Sequence, residues 1–136
     1  MVIEQIIADI EYLKTNTGNL DVSAGLEIQQ RLASNSMYLA TKVAEAFEEK
    51  NTAEFVYKSN LNAYIVNYKG EKLSEKKLEA KAKEAYRDQY KNLVEAENLW
   101  NRLTLILRQT NINIETLRQT VSQLKVEFNM QNHGIN

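Results

Sequence analysis

From Tyr86 to Phe128 apolar side chains recur every three or four residues, at Tyr86, Leu93, Ala96, Trp100, Leu103, Leu107, Ile114, Leu117, Val121, Leu124 and Phe128. Gln89 and Thr110 are the polar interruptions of this seam. A pattern sustained over about six heptads predicts a long helix that packs along its length against partner helices. Ile28, Leu32, Leu39, Val43, Ala46, Ala53, Tyr57 and Tyr64 form a second stripe, predicting a helix over 22–69. A third, Ile3, Ile6, Ile7, Ile10 and Leu13, predicts a short amphipathic helix within residues 1–16. The punctuation agrees with these bounds. Thr15-Asn16-Thr17-Gly18-Asn19 closes the first helix with Gly18 as its cap, and Asp21 or Ser23 caps the second. The stretch around Gly70 is the central turn, Ser74 opens a last helix over 74–128, and 129–136 reads as a frayed tail. Two weak points stand out: a kink at Lys50-Asn51-Thr52, and a bend between Gln109 and Asn113.

The expected fold is therefore all-α. It is a single domain, a short N-terminal helix followed by a long antiparallel, coiled-coil-like hairpin. Further apolar positions lie off the main stripes, at Ala33, Met37, Ala40, Ala44 and Phe47 on the second helix and at Leu99 and Ile106 on the third. Two apolar faces on one helix pair imply neighbours beyond the hairpin, so a homo-oligomer is expected.

Composition strengthens the helical reading. The 136 residues contain no proline, where average usage is about 5% and an interior proline costs a helix about 3 kcal/mol. There is no cysteine, which removes disulfides and thiolate chemistry. No apolar run approaches the roughly 18 residues of a membrane span. The acids of MVIEQIIADIEYLK argue against a signal peptide. A cytoplasmic location is expected, in the host cell if the chain is phage-encoded, with no membrane partner.

Enzymatic chemistry finds little to work with. The single histidine, His133, falls in the polar tail, and the four glycines are scattered, so neither a nucleophile–base pair nor a phosphate-cradling loop is expected. The acidic pairs Glu48-Glu49 and Glu95-Glu97 lack Glu-x-x-His spacing, and no metal or other cofactor is expected. The chain reads as non-enzymatic.

Charge singles out one region. Net charge is -1, but Tyr57 to Lys91 holds nine Lys/Arg against five Asp/Glu and is +4, leaving the remainder at -5. That segment also contains five of the seven tyrosines: Tyr57, Tyr64 and Tyr68 before the turn, Tyr86 and Tyr90 after it. Counting outward from Gly70 places Tyr57 opposite the Tyr86 region. Rings among cations suit single-stranded nucleic acid, whose phosphates need charge and whose unstacked bases need flat surfaces. They equally suit packing at the end of a hairpin, with the cations forming a solvated face.

The order of elements resembles the UvsY recombination mediator family of tailed phages, over most of the chain. The local match is Tyr57-Lys58-Ser59-Asn60-Leu61-Asn62-Ala63-Tyr64. There the family shows an aliphatic residue, Lys, a small residue, Arg, Leu, a polar residue and Tyr, so Asn60 stands where the family has a second basic side chain. The resemblance implies that Lys58 contacts DNA, with Leu61 and Tyr64 as scaffold. It also implies that the segment from Trp100 through Leu103, Leu107, Ile114, Leu117, Val121, Leu124 and Phe128 mediates oligomerisation. The expected function is then a single-stranded DNA-binding recombination mediator that loads a recombinase against a single-strand-binding protein. Lys58, Lys69, Lys72, Lys76, Lys77, Lys83 and Arg87 would neutralise phosphates, and Tyr64 and Tyr68 would offer stacking surfaces. Two alternatives use the same residues differently: a phage anti-defence oligomer that sequesters a nucleotide signal in basic, tyrosine-lined pockets, and a helical protein–protein adaptor.

Overall fold

The protein is described by a computed structural model covering residues 2–16 and 18–132. Among these are four helices and no strand: α1 (Val2–Thr15), α2 (Val22–Val66), α3 (Glu75–Ala85) and α4 (Arg87–Asn132). The all-α expectation holds. Thr17 of the first turn and His133 with the rest of 133–136 lie outside the described residues.

The caps explain where the helices begin. Asp21 Oδ1 accepts a hydrogen bond from the Ala24 N–H at 2.7 Å, satisfying one of the free donors at the start of α2. Ser74, with φ -63° and ψ 156°, does the same for α3. The expected kink at Lys50-Asn51-Thr52 is absent, and α2 continues through it. Lys50 is anchored there, 3.7 Å from Glu54 and over the Phe47 and Trp100 rings at 5.4 and 5.1 Å. α2 ends at Val66 rather than 69.

The expected helix over 74–128 is corrected at one internal break and at its end, and is continuous where a bend was the alternative. It breaks at Tyr86, whose φ of -113° and ψ of 31° leave the helical well. The Tyr86 N–H still reaches the Ala82 carbonyl at 3.2 Å and its own carbonyl accepts from Tyr90 N–H at 3.1 Å, so the break is a one-residue kink. No bend occurs between Gln109 and Asn113, where Thr110 and Asn113 side chains donate to the Ile106 and Gln109 carbonyls at 2.7 and 2.8 Å. These polar residues satisfy themselves on the preceding turn instead of opening the helix. Finally, α4 extends to Asn132, beyond the expected start of the frayed tail.

The described residues divide into two compact units. The first draws on Met1–Lys42 and Leu103–Asn136. Its core contains Ile6, Ile10, Leu20, Ile28, Leu32, Leu39, Leu103, Ile114, Leu117 and Val121. Ile6, Leu32 and Leu39 are fully buried, each contributing about 1.5–3 kcal/mol of hydrophobic stabilisation. Within this unit α2 and α4 run antiparallel. Ser36 bonds Asn111 at 2.9 Å, and a Cβ on Gly25 would stand 2.7 Å from Val121 Cγ2. α1 is tied to α2 by Arg31–Asp9 and by Asn35–Gln5 at 3.1 Å.

The second unit is Val43–Arg102. Its buried side chains are Ala46, Tyr57, Ala82 and Leu93, and aromatic pairs supplement this small core. Phe47 meets Trp100 at 5.2 Å between ring centroids, and Asn60 Nδ2 donates to Gln89 Oε1 at 2.7 Å.

The seam assigned to oligomerisation is buried in part within the chain. Leu103, Ile114, Leu117 and Val121 are buried, Trp100, Leu107 and Leu124 are half-buried, and Phe128 at the end is exposed. Further apolar surface open to a neighbour includes Met37, Leu105, Ile112 and Val126 on the first unit, and Phe55, Val56 and Leu99 on the second. No helix among the described residues is long and apolar enough to cross a membrane.

Candidate nucleic-acid interface

The candidate site lies wholly in the Val43–Arg102 unit. The seven-residue spacing of Tyr57 and Tyr64 puts both on one face of α2, and antiparallel packing brings Tyr86 and Tyr90 against them. Tyr57 meets Tyr90 with ring centroids 5.4 Å apart, and Tyr64 meets Tyr86 edge-on at 6.4 Å. Tyr57 is thus opposite Tyr90, one turn further along than the count from Gly70 suggests. The non-helical segment 67–74 between α2 and α3 centres the hairpin beyond Gly70, which accounts for that shift. Tyr68 closes the series, stacked on Tyr64 at 6.3 Å with Lys81 Nζ 5.3 Å above its ring. Its phenol folds over Gly70, where a Cβ would come within 2.7 Å of Tyr68 Cζ. A larger residue at this turn would displace the Tyr68 ring from its present position.

Two recesses open along this series. One, of about 380 Å³, is lined by Ala63, Tyr64, Asn67, Tyr68, Lys69 and Tyr86. The other, of about 270 Å³, is lined by Tyr57, Lys83, Arg87 and Tyr90. Of the residues expected to bind nucleic acid, Tyr64, Tyr68 and Lys69 therefore meet at the first recess, and Lys83 and Arg87 at the second. Lys72, Lys76 and Lys77 are exposed and line neither. Lys58 is also outside both, and its ammonium is 2.7 Å from Glu54. That contact, with Lys50 as a lesser contributor, holds the Glu54 carboxyl below its ordinary value.

Asn60 has a structural task. At the position where a second basic residue was anticipated, it bonds Gln89, one of the two polar interruptions of the seam. Three sequence features were passed over. Tyr57 and Tyr90 line the smaller recess although neither was assigned to the site, and the four- and three-residue spacing of Lys83, Arg87 and Tyr90 is the signal that groups them. Lys81 was counted among the cations but not as a ring partner. Glu84 was counted only as a charge, yet both its oxygens accept from Arg87 Nη2, at 2.6 and 2.7 Å.

On the opposite side of the charge balance, Glu45, Glu48 and Glu49 line a groove of about 530 Å³ with Thr52, Ala53, Val56, Gln89 and Asn92. Among the described residues no group of three or more His, Cys, Asp or Glu side chains is placed to hold a metal ion.

The geometry defines a class, a helical protein with a cation-flanked tyrosine series at one end of a hairpin. No protein-family model, curated protein or solved structure matches the chain.

Proposed function

We propose that the protein is a non-enzymatic, homo-oligomeric, cytoplasmic protein that binds single-stranded DNA and acts as a recombination mediator. One observation carries the reading: two tyrosine clusters, Tyr57–Tyr90 and Tyr64–Tyr68–Tyr86, with Lys69, Lys81, Lys83 and Arg87 at their edges. Stacking surfaces beside cations are what a strand with splayed bases requires. The exposed apolar residues Met37, Leu105, Ile112, Phe55 and Leu99 support self-association, which would set several such series along one strand. The mediator role, with a recombinase and a single-strand-binding protein as partners, is supported by the Tyr57–Tyr64 string alone.

The recess sizes bear on the rival reading. Drug-sized ligands occupy about 300–1,000 Å³, so the recess of about 270 Å³ suits one nucleotide unit, while the recess of about 380 Å³ has room for a larger nucleotide signal. The test is fluorescence anisotropy of a labelled mixed-sequence oligonucleotide at several salt concentrations. Affinity should fall steeply with salt, because cations are released from the strand on binding and return on dissociation. Absence of binding at low salt would remove the mediator reading and leave sequestration or a protein adaptor.

A further inference from the structure

We infer that the Tyr57/Lys83/Arg87/Tyr90 recess is a binding subsite for a single nucleotide unit, and that Glu84 restrains it by occupying Arg87. The inference rests on the proposed strand-binding reading and adds a location, a ligand size and a regulating residue.

The recess has the parts that one nucleotide needs. Tyr57 is buried and forms its floor, while Tyr90, tilted 51° to it at 5.4 Å, is half exposed. Tyr90 therefore presents aromatic surface to solvent while its position is held by Tyr57. Lys83 and Arg87 are four residues apart and Tyr90 three further on, which stacks two cations and a ring along one side. A base against Tyr90 would leave its phosphate toward Arg87 and Lys83. The volume of about 270 Å³ is on the scale of one unit.

Arg87 is not free in the unliganded protein. Its Nη2 donates to both Glu84 oxygens, and both side chains are about two-thirds exposed. Exposed pairs of this kind contribute little, whereas a guanidinium fork matches a phosphate well. A phosphate can therefore take Arg87 from Glu84 at small cost. Glu84 then sets a threshold: neutralising it should strengthen binding rather than weaken it.

The experiment titrates a labelled oligothymidylate and, separately, a deoxynucleoside monophosphate into the full chain, following anisotropy in the first case and tyrosine ring signals by NMR in the second. Tyr90→Ala should weaken oligonucleotide binding from about five-fold to over a hundred-fold with little change in salt slope. Tyr90→Leu, which keeps apolar bulk, should also weaken it and guards against a folding defect. Glu84→Gln should tighten binding by about two- to five-fold, the scale of one exposed pair. Glu79→Gln removes the same charge from α3 without touching Arg87 and should do less. If the wild type binds the strand but Tyr90→Ala and Tyr90→Leu stay within about two-fold of it, or Glu84→Gln and Glu79→Gln act equally, the subsite is refuted while strand binding stands. If the strand is not bound but the monophosphate shifts Tyr57 and Tyr90, the subsite survives and the mediator reading falls. If neither ligand acts, both are overturned.

Discussion

Arg31 grips the Asp9 carboxylate with two hydrogen bonds, from Nε to Oδ2 at 2.8 Å and from Nη2 to Oδ1 at 2.6 Å, fastening α1 to α2 across 22 residues of chain. Asp9 is buried and sits between the core residues Ile6 and Ile10, so its oxygens depend on this partner for hydrogen bonds. The same bonds hold the Arg31 guanidinium above its ordinary value. Arg31→Ala should lower unfolding free energy by about 1.5–3 kcal/mol, the scale of hydrogen bonds to a charged group, because it strips a buried carboxyl of both bonds. Arg31→Lys should recover only part, since an ammonium cannot reproduce the planar fork. Denaturant unfolding of the three proteins decides this, and equal stability of wild type and Arg31→Ala would contradict it.

How much of this was legible in the sequence follows from range. The stripes Ile28, Leu32, Leu39 and Leu93, Leu103, Ile114, Leu117 reached the core as their spacing implies, because helical periodicity is local. The caps at Asp21 and Ser74 were equally readable. The kink at Tyr86 was not, since no proline or glycine marks it. Polar residues at Gln109–Asn113 suggested a bend that side-chain bonding to the preceding turn makes unnecessary. Asp9–Arg31 and Tyr57–Tyr90 are pairings across the chain. Their only local signal is a charged or aromatic residue standing on an otherwise aliphatic stripe.

Thr110 offers a test of that local satisfaction. It is fully buried, and its hydroxyl donates to the Ile106 carbonyl at 2.7 Å. Within α4 that carbonyl already receives a backbone N–H, so losing the hydroxyl strands no partner. Thr110→Val should leave stability unchanged or raise it by up to about 1 kcal/mol. Thr110→Asn, which adds volume and a second polar group to a fully buried position, should cost about 1–3 kcal/mol. Thermal unfolding by circular dichroism distinguishes them, and a large loss in Thr110→Val would mean that the hydroxyl has another partner.

Gly25 predicts a coupled pair. A Cβ there would press on Val121 Cγ2 at 2.7 Å, and a β-branched side chain on a helix has little rotamer freedom with which to yield. Alanine's better helix propensity returns about 1 kcal/mol against an overpacking cost of about 1–3 kcal/mol, so Gly25→Ala should be neutral to destabilising by about 2 kcal/mol. In a Val121→Ala background the clash disappears and the same substitution should stabilise. The coupling expected from a double-mutant cycle is about 0.5–3 kcal/mol. Additive effects would show that the two helices separate readily at this point.

Lys58 and Glu54 yield a prediction with a pH signature. In the unliganded protein Lys58 is held 2.7 Å from Glu54, and that bond is the largest reason the carboxyl lies below its ordinary value. If Lys58 turns to a phosphate, Glu54 keeps only Lys50 and its pKa moves back up, toward the ordinary carboxylate value of about 4.3. Binding then favours the protonated carboxyl. The contribution of this pair should make affinity rise as pH falls through that ordinary value and level off below the lower value of the free protein. Other carboxyls also titrate there, so the reading is the difference between wild type and Glu54→Gln, whose Lys58 is already released. Glu54→Gln should bind an oligonucleotide a few-fold tighter than wild type near neutrality, with the gap closing on acidification. Lys58→Ala should weaken binding across all sequences and reduce the salt slope by about one phosphate's share. Anisotropy between neutral pH and about pH 4, with circular dichroism to confirm that the helices persist, measures each. A gap between wild type and Glu54→Gln that stays constant with pH would show that Lys58 remains on Glu54 when DNA is bound, and would remove it from the interface.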